Sequence, residues 1–355
     1  MIPPGRTIGI LGGGQLGRMT ALAAAALGYR CHVFCPESES PAKLVTPFAT
    51  TASYDDAAAL AAFAARVDVV TFEFENVPAA AAEQLAALKP VLPAPSILRI
   101  SQDRLAEKNF LRANGVATTQ FAEVRSAGDL ERAIAKIGRP AVLKTVRLGY
   151  DGKGQVMIGA ETDLAAAWRR LGTELAILEG FVDFACEVSV IVARGADGAW
   201  AAYPPVENRH VNHILDTTIA PAPLAPDIAA RAVAIARGTA ASLGLVGLLA
   251  VEMFLTRDGA LLVNELAPRP HNSGHWTIDA CVTSQFEQLV RAICGLPLGS
   301  AEPHSDAVMK NLIGAEVERW RDWLADPRAK LHLYGKGEAS PGRKMGHVTT
   351  LKPRG

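Results

Sequence analysis

Two glutamates in consecutive apolar segments could bind a metal ion. Glu252 and Glu265 each lie among apolar residues, and the Asp258-Gly259 pair between the segments is typical of a two-residue hairpin turn. Counting outward from that turn predicts that Glu252 lies directly opposite Glu265, with their Cβ atoms about 5 Å apart. Carboxylates so close repel each other and are costly to desolvate, so the pattern indicates Mg²⁺ more strongly than a solvated charged face. In an ideal pleat Asn264 faces away and needs a bulge to reach that ion.

A lysine and a glycine-rich loop could bind phosphates. Lys144 interrupts the apolar segment 141–146, and the loop 149–155 that follows contains three glycines. Backbone N–H groups of such a loop can fold over phosphates and move aside for exchange. Together with Arg104, Lys153 and the two glutamates, the loop predicts a triphosphate site, although no Walker A motif occurs. An edge lysine and a mobile surface hairpin are the structural alternatives.

The segment Glu179-Gly180-Phe181-Val182 ends a strand beyond this loop. Its exposed backbone groups could bind the edge of an adenine while Phe181 or Val182 packs on the face of the base. Core packing is the alternative interpretation.

A second glycine turn lies near the start of the chain. Residues 12–17 fit G-x-G-x-x-G between a strand and a helix, and Glu37 lies about twenty residues further on. Alone, the pattern is compatible with a dinucleotide, with another phosphate or sugar, or with a tight turn that binds no ligand. A nicotinamide-dependent dehydrogenase is therefore an alternative function, but it leaves the opposed glutamates and the glycine loop unexplained.

The predicted elements place these groups in different parts of an α/β protein. Strands at Thr7–Leu11, Cys31–Cys35 and 67–72 alternate with alanine-rich helices, which predicts a parallel sheet covered on both faces. A helix is expected to begin near Ser101 as its N-cap. Short strands and helices follow, and the pattern weakens after Leu296.

Composition narrows the classes of function and location. Lysine plus arginine and aspartate plus glutamate each number 36, so no net field favours a long polyanion and nucleic-acid binding is not expected. The five cysteines include no matched C-x-x-C pairs and indicate reduced thiols. The absence of a signal-like start or a long apolar run predicts a cytoplasmic protein without a membrane partner.

Several motifs resemble the ATP-grasp superfamily and, within it, the 5-(carboxyamino)imidazole ribonucleotide synthetases. They are GGGQLGRM at 12–19, TFEFENVP at 71–78, GYDGKGQ at 149–155, NELAPRPHNSGH at 264–275 and RKMGHV at 343–348. The resemblance covers about residues 7 to 351. It implies an α/β ATP-grasp fold with a Rossmann-like parallel domain at 1–98 and an ATP-grasp region at 99–295. That region includes a small mixed α/β lid at about 116–184 and a larger antiparallel α+β part. The segment 296–355 would complete the substrate site.

The resemblance also implies a reaction. ATP phosphorylates bicarbonate, and the resulting carboxyphosphate carboxylates the exocyclic amine of 5-aminoimidazole ribonucleotide in purine biosynthesis. Mg²⁺, which Mn²⁺ can replace, would be bound by Glu252 and Glu265. Residues with implied ATP contacts are Arg104, Lys144, Gly149, Tyr150, Asp151, Gly152, Lys153, Gly154, Gln155, Glu179, Gly180, Phe181, Val182, Glu187, His210, Asn264 and Glu265. Residues with implied substrate contacts are Glu73, Tyr150, His271, Asn272, Ser273, Lys336 and Arg343, and those with implied catalytic roles are Asp151, Arg269 and Lys336.

Within the resemblance some points stay open. Another ATP-grasp carboligase or formyltransferase would share the metal and lid residues but not the HNSGH and RKMGH motifs. His213 stands where many relatives carry a small residue, which affects the interpretation of His210. The family also implies a homodimer and a functional hand-off to the mutase that follows in the pathway.

Overall fold

A computed structural model describes residues 1–147, 149 and 154–354 of the chain, which form three β-sheets with helices packed on them. No helix within these ranges is long and apolar enough to cross a membrane.

The first sheet is parallel throughout. Its strands are Thr7–Leu11 (β1), Arg30–Cys35 (β2), Phe48–Thr51 (β3) and Val69–Phe72 (β4), in the order β3-β2-β1-β4. The accompanying helices are Gln15–Ala26 (α1), Ala57–Ala64 (α2) and Ala79–Ala86 (α3). The inner strands β1 and β2 are almost fully buried, as expected for a parallel sheet with both faces covered, and the predicted Rossmann-like architecture is confirmed. The short edge strand β3 was missed because most of it is exposed.

Two helices connect this sheet to the rest of the chain. They are Pro95–Ser101 (α4) and Arg104–Ala113 (α5). The predicted helix start at Ser101 is wrong, because Ser101 ends α4. Asp103 is the N-cap of α5, and its carboxylate accepts a hydrogen bond from Ala106 N–H at 2.9 Å.

The second sheet is small and antiparallel. Its strands are Phe121–Val124 (β5), Ala141–Thr145 (β6), Gln155–Ile158 (β7) and Ala176–Gly180 (β8), in the order β5-β8-β6-β7. Helices Ala127–Ile137 (α6) and Leu164–Leu171 (α7) pack on it. This unit corresponds to the predicted lid.

The third sheet has nine strands, and all its pairs are antiparallel. The strands are Phe184–Arg194 (β9), Trp200–Ala202 (β10), Val206–Val211 (β11), Ile214–Ala220 (β12), Gly247–Thr256 (β13), Leu261–Ala267 (β14), Asp306–Ile313 (β15), Ala329–Leu333 (β16) and Lys344–Lys352 (β17). The order is β14-β13-β9-β11-β12-β15-β17-β16, with β10 paired to β9. Its helices are Pro226–Ser242 (α8), Thr277–Ala280 (α9), Gln285–Cys294 (α10) and Trp320–Leu324 (α11).

Both faces of the large sheet are buried by helices. Helix α8 packs with Val190 and Leu249 on one face, and α10 packs with Ile191 and Leu248 on the other. The last strands were not predicted, because buried polar residues such as His347 and Thr349 interrupt the apolar alternation of β17. Through β15 and β17 the C-terminal segment joins the same sheet as the two glutamates.

Candidate active site

Glu252 of β13 and Glu265 of β14 pair directly across the two strands, as the sequence predicts. The loop between the strands differs from the prediction. Thr256 N–H donates to Ala260 O at 2.9 Å, so three residues form the loop where two were expected. Gly259 adopts φ +83° in this loop, a left-handed conformation that glycine occupies without steric cost.

A bulge at Asn264 restores the predicted pairing. Met253 pairs with Val263, whereas the next residue of β13, Glu252, pairs with Glu265, so Asn264 is the extra residue on β14. The longer loop alone would have shifted the register by one position. The opposition of the glutamates thus results from two one-residue shifts that cancel.

The two carboxylates differ in their electrostatic surroundings. Burial opposes the ionisation of Glu252, but His271, whose Nε2 lies 2.8 Å from Oε1, lowers its pKa to about 2. Desolvation and the charge of Glu252 raise the pKa of Glu265, even though Arg104 Nη1 lies 3.6 Å from its Oε2. The negative charge at Glu265 is therefore incompletely balanced, and a divalent cation fits this oxygen donor set.

A chain of hydrogen bonds orients His271. Its Nδ1 lies 3.4 Å from the backbone nitrogen of Ser273 and 2.8 Å from Ser273 Oγ. Because a backbone N–H can only donate, Nδ1 is the acceptor, and Nε2 carries the proton that faces Glu252. Ser189 Oγ lies 2.7 Å from Ser273 Oγ, and Asn208 Nδ2 donates to Ser189 at 2.9 Å. Ser273, whose side chain was predicted to contact substrate, is fully buried, and its hydroxyl takes part in this series of hydrogen bonds.

Asn272 has unused hydrogen-bonding capacity. Its side-chain oxygen and nitrogen are both buried, and neither has a hydrogen-bond partner among the described residues. Buried amides are normally satisfied, so this side chain is suited to a polar ligand.

Two lysines share Glu179 at the base of the small sheet. Lys144 Nζ lies 2.5 Å from Oε2 of Glu179, and Lys108 Nζ lies 3.4 Å from Oε1. Burial opposes ionisation of Glu179, but the two lysines lower its pKa to about 2. The side chain of Glu179 is therefore occupied by lysines, and only its backbone remains for the predicted adenine contact.

The first glycine turn binds a side chain of the protein. Gly14 N–H and Gly17 N–H both donate to the carboxylate of Glu73, the second at 2.8 Å. A Cβ at Gly12 would lie 2.5 Å from Glu73 Cγ, and one at Gly14 would lie 2.5 Å from Oε1. The glycines thus admit Glu73 to the N-terminus of α1, and these amides are not free to bind a dinucleotide phosphate.

Arg269 and Lys336 lie in partly enclosed positions. Arg269 donates through Nε to Glu75 and through Nη1 to the Pro270 carbonyl at 3.0 Å, with 13% of its side chain exposed. Lys336 donates to the carbonyl of Lys344 at 2.7 Å. Burial and the charge of Arg343 lower the pKa of Lys336 to about 8. Arg343 itself is exposed and donates to the Glu338 carbonyl at 3.0 Å.

Glu187 and His210 form a pair beside Glu252. His210 Nδ1 lies 3.2 Å from Glu187 Oε1, and one ligand atom from each of these three residues lies within 4.8 Å of the others. Burial lowers the pKa of His210, but the two carboxylates raise it more. His213 adopts φ +65°, a left-handed conformation that glycine occupies without steric cost.

The segment 179–182, predicted to bind adenine, is described in full, whereas the glycine-rich loop is described only at residues 149, 154 and 155. Gly180 N–H donates to the Gln120 carbonyl, Phe181 is half exposed and Val182 is partly buried. The Gly149 carbonyl accepts from Arg104 Nη2 at 2.9 Å. Thr145 N–H donates to the Gly154 carbonyl at 2.9 Å, and Gln155 pairs with Lys144 between strands β6 and β7. The expectations for Tyr150, Asp151, Gly152 and Lys153 lie outside the described residues.

Sequence reasoning missed five residues that support this site. They are Glu75, Glu107, Lys108, Ser189 and Asn208. The only local signal was at Glu107 and Lys108, which are adjacent charged residues on the helical face that also carries Leu111. A buried position for charged residues implies partners elsewhere in the fold.

Comparisons with protein families match three parts of the chain. The ribonucleotide synthetase preATP-grasp domain matches residues 5–102, and the ATP-grasp domain matches 109–286. The phosphoribosylaminoimidazole carboxylase C-terminal domain matches residues 307–354.

Curated proteins are similar over nearly the whole chain. The N5-carboxyaminoimidazole ribonucleotide synthase of Brucella melitensis biotype 1 is 49% identical, over 99% of this chain and 98% of its own length. The bifunctional purine synthesis protein purC/E of Dictyostelium discoideum is 50% identical over 98% of this chain, which spans 37% of that longer protein.

Solved structures agree with this fold. An ADP complex of an N5-carboxyaminoimidazole ribonucleotide synthetase is 45% identical with a TM-score of 0.96, covering 100% of this chain and 94% of the other. The N5-carboxyaminoimidazole synthase from Aspergillus clavatus, in complex with ADP and 5-aminoimidazole ribonucleotide, is 33% identical with a TM-score of 0.92. That similarity covers 98% of this chain and 94% of the other.

Proposed function

Because this chain belongs to the family of N5-carboxyaminoimidazole ribonucleotide synthases, we propose that Glu252 and Glu265 bind the Mg²⁺ that accompanies ATP in its reaction. The protein is an ATP-dependent ligase of purine biosynthesis that carboxylates 5-aminoimidazole ribonucleotide. The observation that carries the metal assignment is the direct opposition of the two carboxylates, with the pKa of Glu265 raised by its partner. Bound there, Mg²⁺ or Mn²⁺ would neutralise charge on the phosphates.

The phosphates of ATP lie between the metal carboxylates and the lid. Lys144 and Arg104 are two cations assigned to these phosphates, and each contacts a carboxylate that holds it in place. Residues 149–155, which the family resemblance assigns to ATP, are the proposed contacts of the phosphates on the lid side. The adenine packs against the segment 179–182, its ribose hydroxyls contact Glu187, and His210 and Asn264 contribute further contacts.

The reaction proceeds in two steps. A bicarbonate oxygen attacks the γ-phosphorus of ATP, the bond to ADP breaks, and carboxyphosphate forms. The exocyclic amine of 5-aminoimidazole ribonucleotide then attacks the carboxyl carbon, phosphate leaves, and Asp151 takes the proton that the amine nitrogen loses. Arg269 stabilises the charge that develops during phosphoryl transfer. Closure of the lid keeps water from the carboxyphosphate.

The substrates occupy the region around the loop at 269–273. Asn272 supports this assignment, because its buried amide lacks a partner among the described residues and a nucleotide substrate would satisfy it. The remaining residues assigned to the nucleotide and bicarbonate are Glu73, Tyr150, His271, Ser273, Lys336 and Arg343.

The decisive experiment removes one metal carboxylate. Glu265→Gln is expected to abolish Mg²⁺-dependent ADP formation with 5-aminoimidazole ribonucleotide and bicarbonate, each also omitted in turn. The matched control is Glu161→Gln, because Glu161 is exposed on a turn. Full activity with unchanged Mg²⁺ dependence in Glu265→Gln would show that the metal lies elsewhere.

A second variant separates nucleotide binding from carboxylation. Asp151→Ala should keep its affinity for ATP by calorimetry and lose carboxylated product by about 10²–10⁴-fold, since a positioned proton acceptor contributes that much to rate. Loss of ATP binding, with product still coupled to whatever ATP is consumed, would assign Asp151 to the nucleotide site.

The assembly and location of the protein are further parts of the proposal. The protein acts as a homodimer in the cytoplasm, where its cysteines, all free in the described residues, stay reduced. Its product passes to the mutase of the same pathway. Light scattering of the purified protein, and a coupled assay with that mutase under dilution, test the dimer and the hand-off.

A further inference from the structure

The strand that carries Glu265 lies at the edge of the large sheet. Strand β14 pairs only with β13 along the sheet order, so its other edge presents backbone groups that need partners. This edge is not exposed to solvent, because α5 and the segment that follows it cover β14. The Val263 N–H finds a partner in the Ala117 carbonyl at 2.8 Å. Three further backbone groups of this edge, the carbonyls of Val263 and Asn264 and the N–H of Leu266, are bonded by side chains.

Two consecutive residues of α5 supply most of these partners. Glu107 Oε2 accepts from Leu266 N–H at 2.9 Å. Lys108 Nζ donates to the carbonyls of Asn264 at 2.8 Å and Val263 at 3.2 Å. Both side chains are almost completely buried, so these bonds form away from solvent. An acceptor and a donor from one helix thus replace the neighbouring strand that the edge lacks.

These bonds bracket the bulge that sets the register of Glu265. Val263 and Asn264 precede Glu265 and Leu266 follows it, so backbone groups on both sides of Glu265 are fixed from α5. A bulge leaves its extra residue unpaired in the ladder and can move along a strand unless other contacts fix it. Movement by one residue would turn Glu265 away from Glu252.

Lys108 also reaches the phosphate side of the site. Its Nζ lies 3.4 Å from Oε1 of Glu179. The other carboxylate oxygen of Glu179, Oε2, lies 2.5 Å from Lys144 Nζ. Thr118 completes the arrangement, because its Oγ1 accepts from Lys108 and donates to the Val263 carbonyl, both at 2.8 Å. One buried ammonium group therefore connects the bulge of β14 to the lysine assigned to ATP.

We propose that Glu107 and Lys108 are positioning residues that hold the Asn264 bulge in place, and thereby keep Glu265 opposite Glu252 for metal binding. Neither residue needs to touch ATP or substrate for this role. The inference rests on the proposed assignment of Glu252 and Glu265 to the metal, and its test must separate the two.

The test measures binding of Mn²⁺ by electron paramagnetic resonance with ADP present, which does not depend on turnover. Lys108→Met and Glu107→Leu are expected to lower the affinity for Mn²⁺ about tenfold or more, as loss of residues behind metal ligands typically does. Glu107→Gln keeps an acceptor oxygen for Leu266 N–H and should stay within about twofold of the parent protein. The control for loss of a lysine is Lys136→Met, because Lys136 is exposed on α6.

A kinetic readout distinguishes positioning from general loss of stability. Lys108→Met should also raise the KM for ATP, because Glu179 then engages Lys144 alone, whereas Glu107→Leu should change mainly the Mg²⁺ requirement. If the substitutions of Glu107 and Lys108 do not yield folded protein, Thr118→Val tests the inference instead. It removes only one hydroxyl and should lower the affinity for Mn²⁺ measurably. Unchanged Mn²⁺ affinity in the folded variants overturns the inference.

Glu265→Gln, measured in the same way, separates the inference from the metal assignment. Parent-like Mn²⁺ affinity in Glu265→Gln would disprove the metal assignment itself. If Glu265→Gln loses Mn²⁺ binding while Lys108→Met, Glu107→Leu and Thr118→Val retain it, the metal assignment stays intact and only the role of α5 is refuted.

Discussion

His271 directs the proton on its Nε2 toward Oε1 of Glu252 across 2.8 Å. The orientation is fixed from the far side of the ring, where Ser273 supplies both a backbone N–H and a hydroxyl to Nδ1. Residues behind a metal ligand commonly hold it in the geometry that binding requires. The polar chain behind His271 lies on β9 and β11, so the core of the large sheet supports the position of Glu252.

Removal of the Ser273 hydroxyl should therefore weaken both stability and metal use. Ser273→Ala leaves Ser189 Oγ without its acceptor and His271 Nδ1 without its hydroxyl partner in a buried region, at a cost of about 1–3 kcal/mol. We expect a lower urea midpoint and a higher Mg²⁺ concentration at half-maximal rate. Ser38→Ala, at an exposed serine, is the control. A parent-like Mg²⁺ requirement in Ser273→Ala would mean that His271 is oriented by other contacts.

Alanine should have opposite effects on stability at Gly14 of the glycine turn and at Gly238 of α8. Gly14→Ala places a Cβ 2.5 Å from Glu73 Oε1, which is too close for both atoms, so the carboxylate must shift from the N-terminus of α1. A loss of about 1–3 kcal/mol in unfolding free energy is expected. Gly238→Ala lies inside α8 with no atom within 4 Å of the new Cβ, and should raise stability by up to about 1 kcal/mol. Denaturant unfolding of both variants measures the contrast. Equal stability of the two would remove the role assigned to Glu73.

Lys336 should impose a limit on activity at alkaline pH. Burial lowers its pKa to about 8, so the ammonium is present below that pH and is lost as pH rises through it. If its charge binds an anionic substrate, kcat/KM for 5-aminoimidazole ribonucleotide should fall above about pH 8. Lys336→Arg should lower the rate yet lose this alkaline decline, because arginine stays protonated. An identical decline in Lys336→Arg would assign the titration to another group.

The sequence by itself determined the inner elements of the first sheet and much of the chemistry. Apolar runs and alanine-rich segments specify the inner strands and α1, because burial and helix propensity act locally. The glycine loop and the two glutamates are recognisable since few other uses suit those residue types in apolar strands. The family motifs, which extend over most of the chain, indicated the correct family, a conclusion that the comparisons confirm.

The tertiary structure decided which groups those residues contact. The pairing of Glu252 with Glu265 was predicted from a two-residue turn, yet it arises from a three-residue loop and a bulge at Asn264 that cancel. Neither shift is visible locally, because the bulge is held by Glu107 and Lys108, more than 150 residues earlier in the chain. Similarly, the sequence around Gly14 is compatible with a phosphate-binding turn, whereas in the fold the Gly14 N–H binds the carboxylate of Glu73. Sequence sets local propensity and residue chemistry, whereas the partner of each polar group depends on long-range packing that must satisfy every buried charge and backbone group.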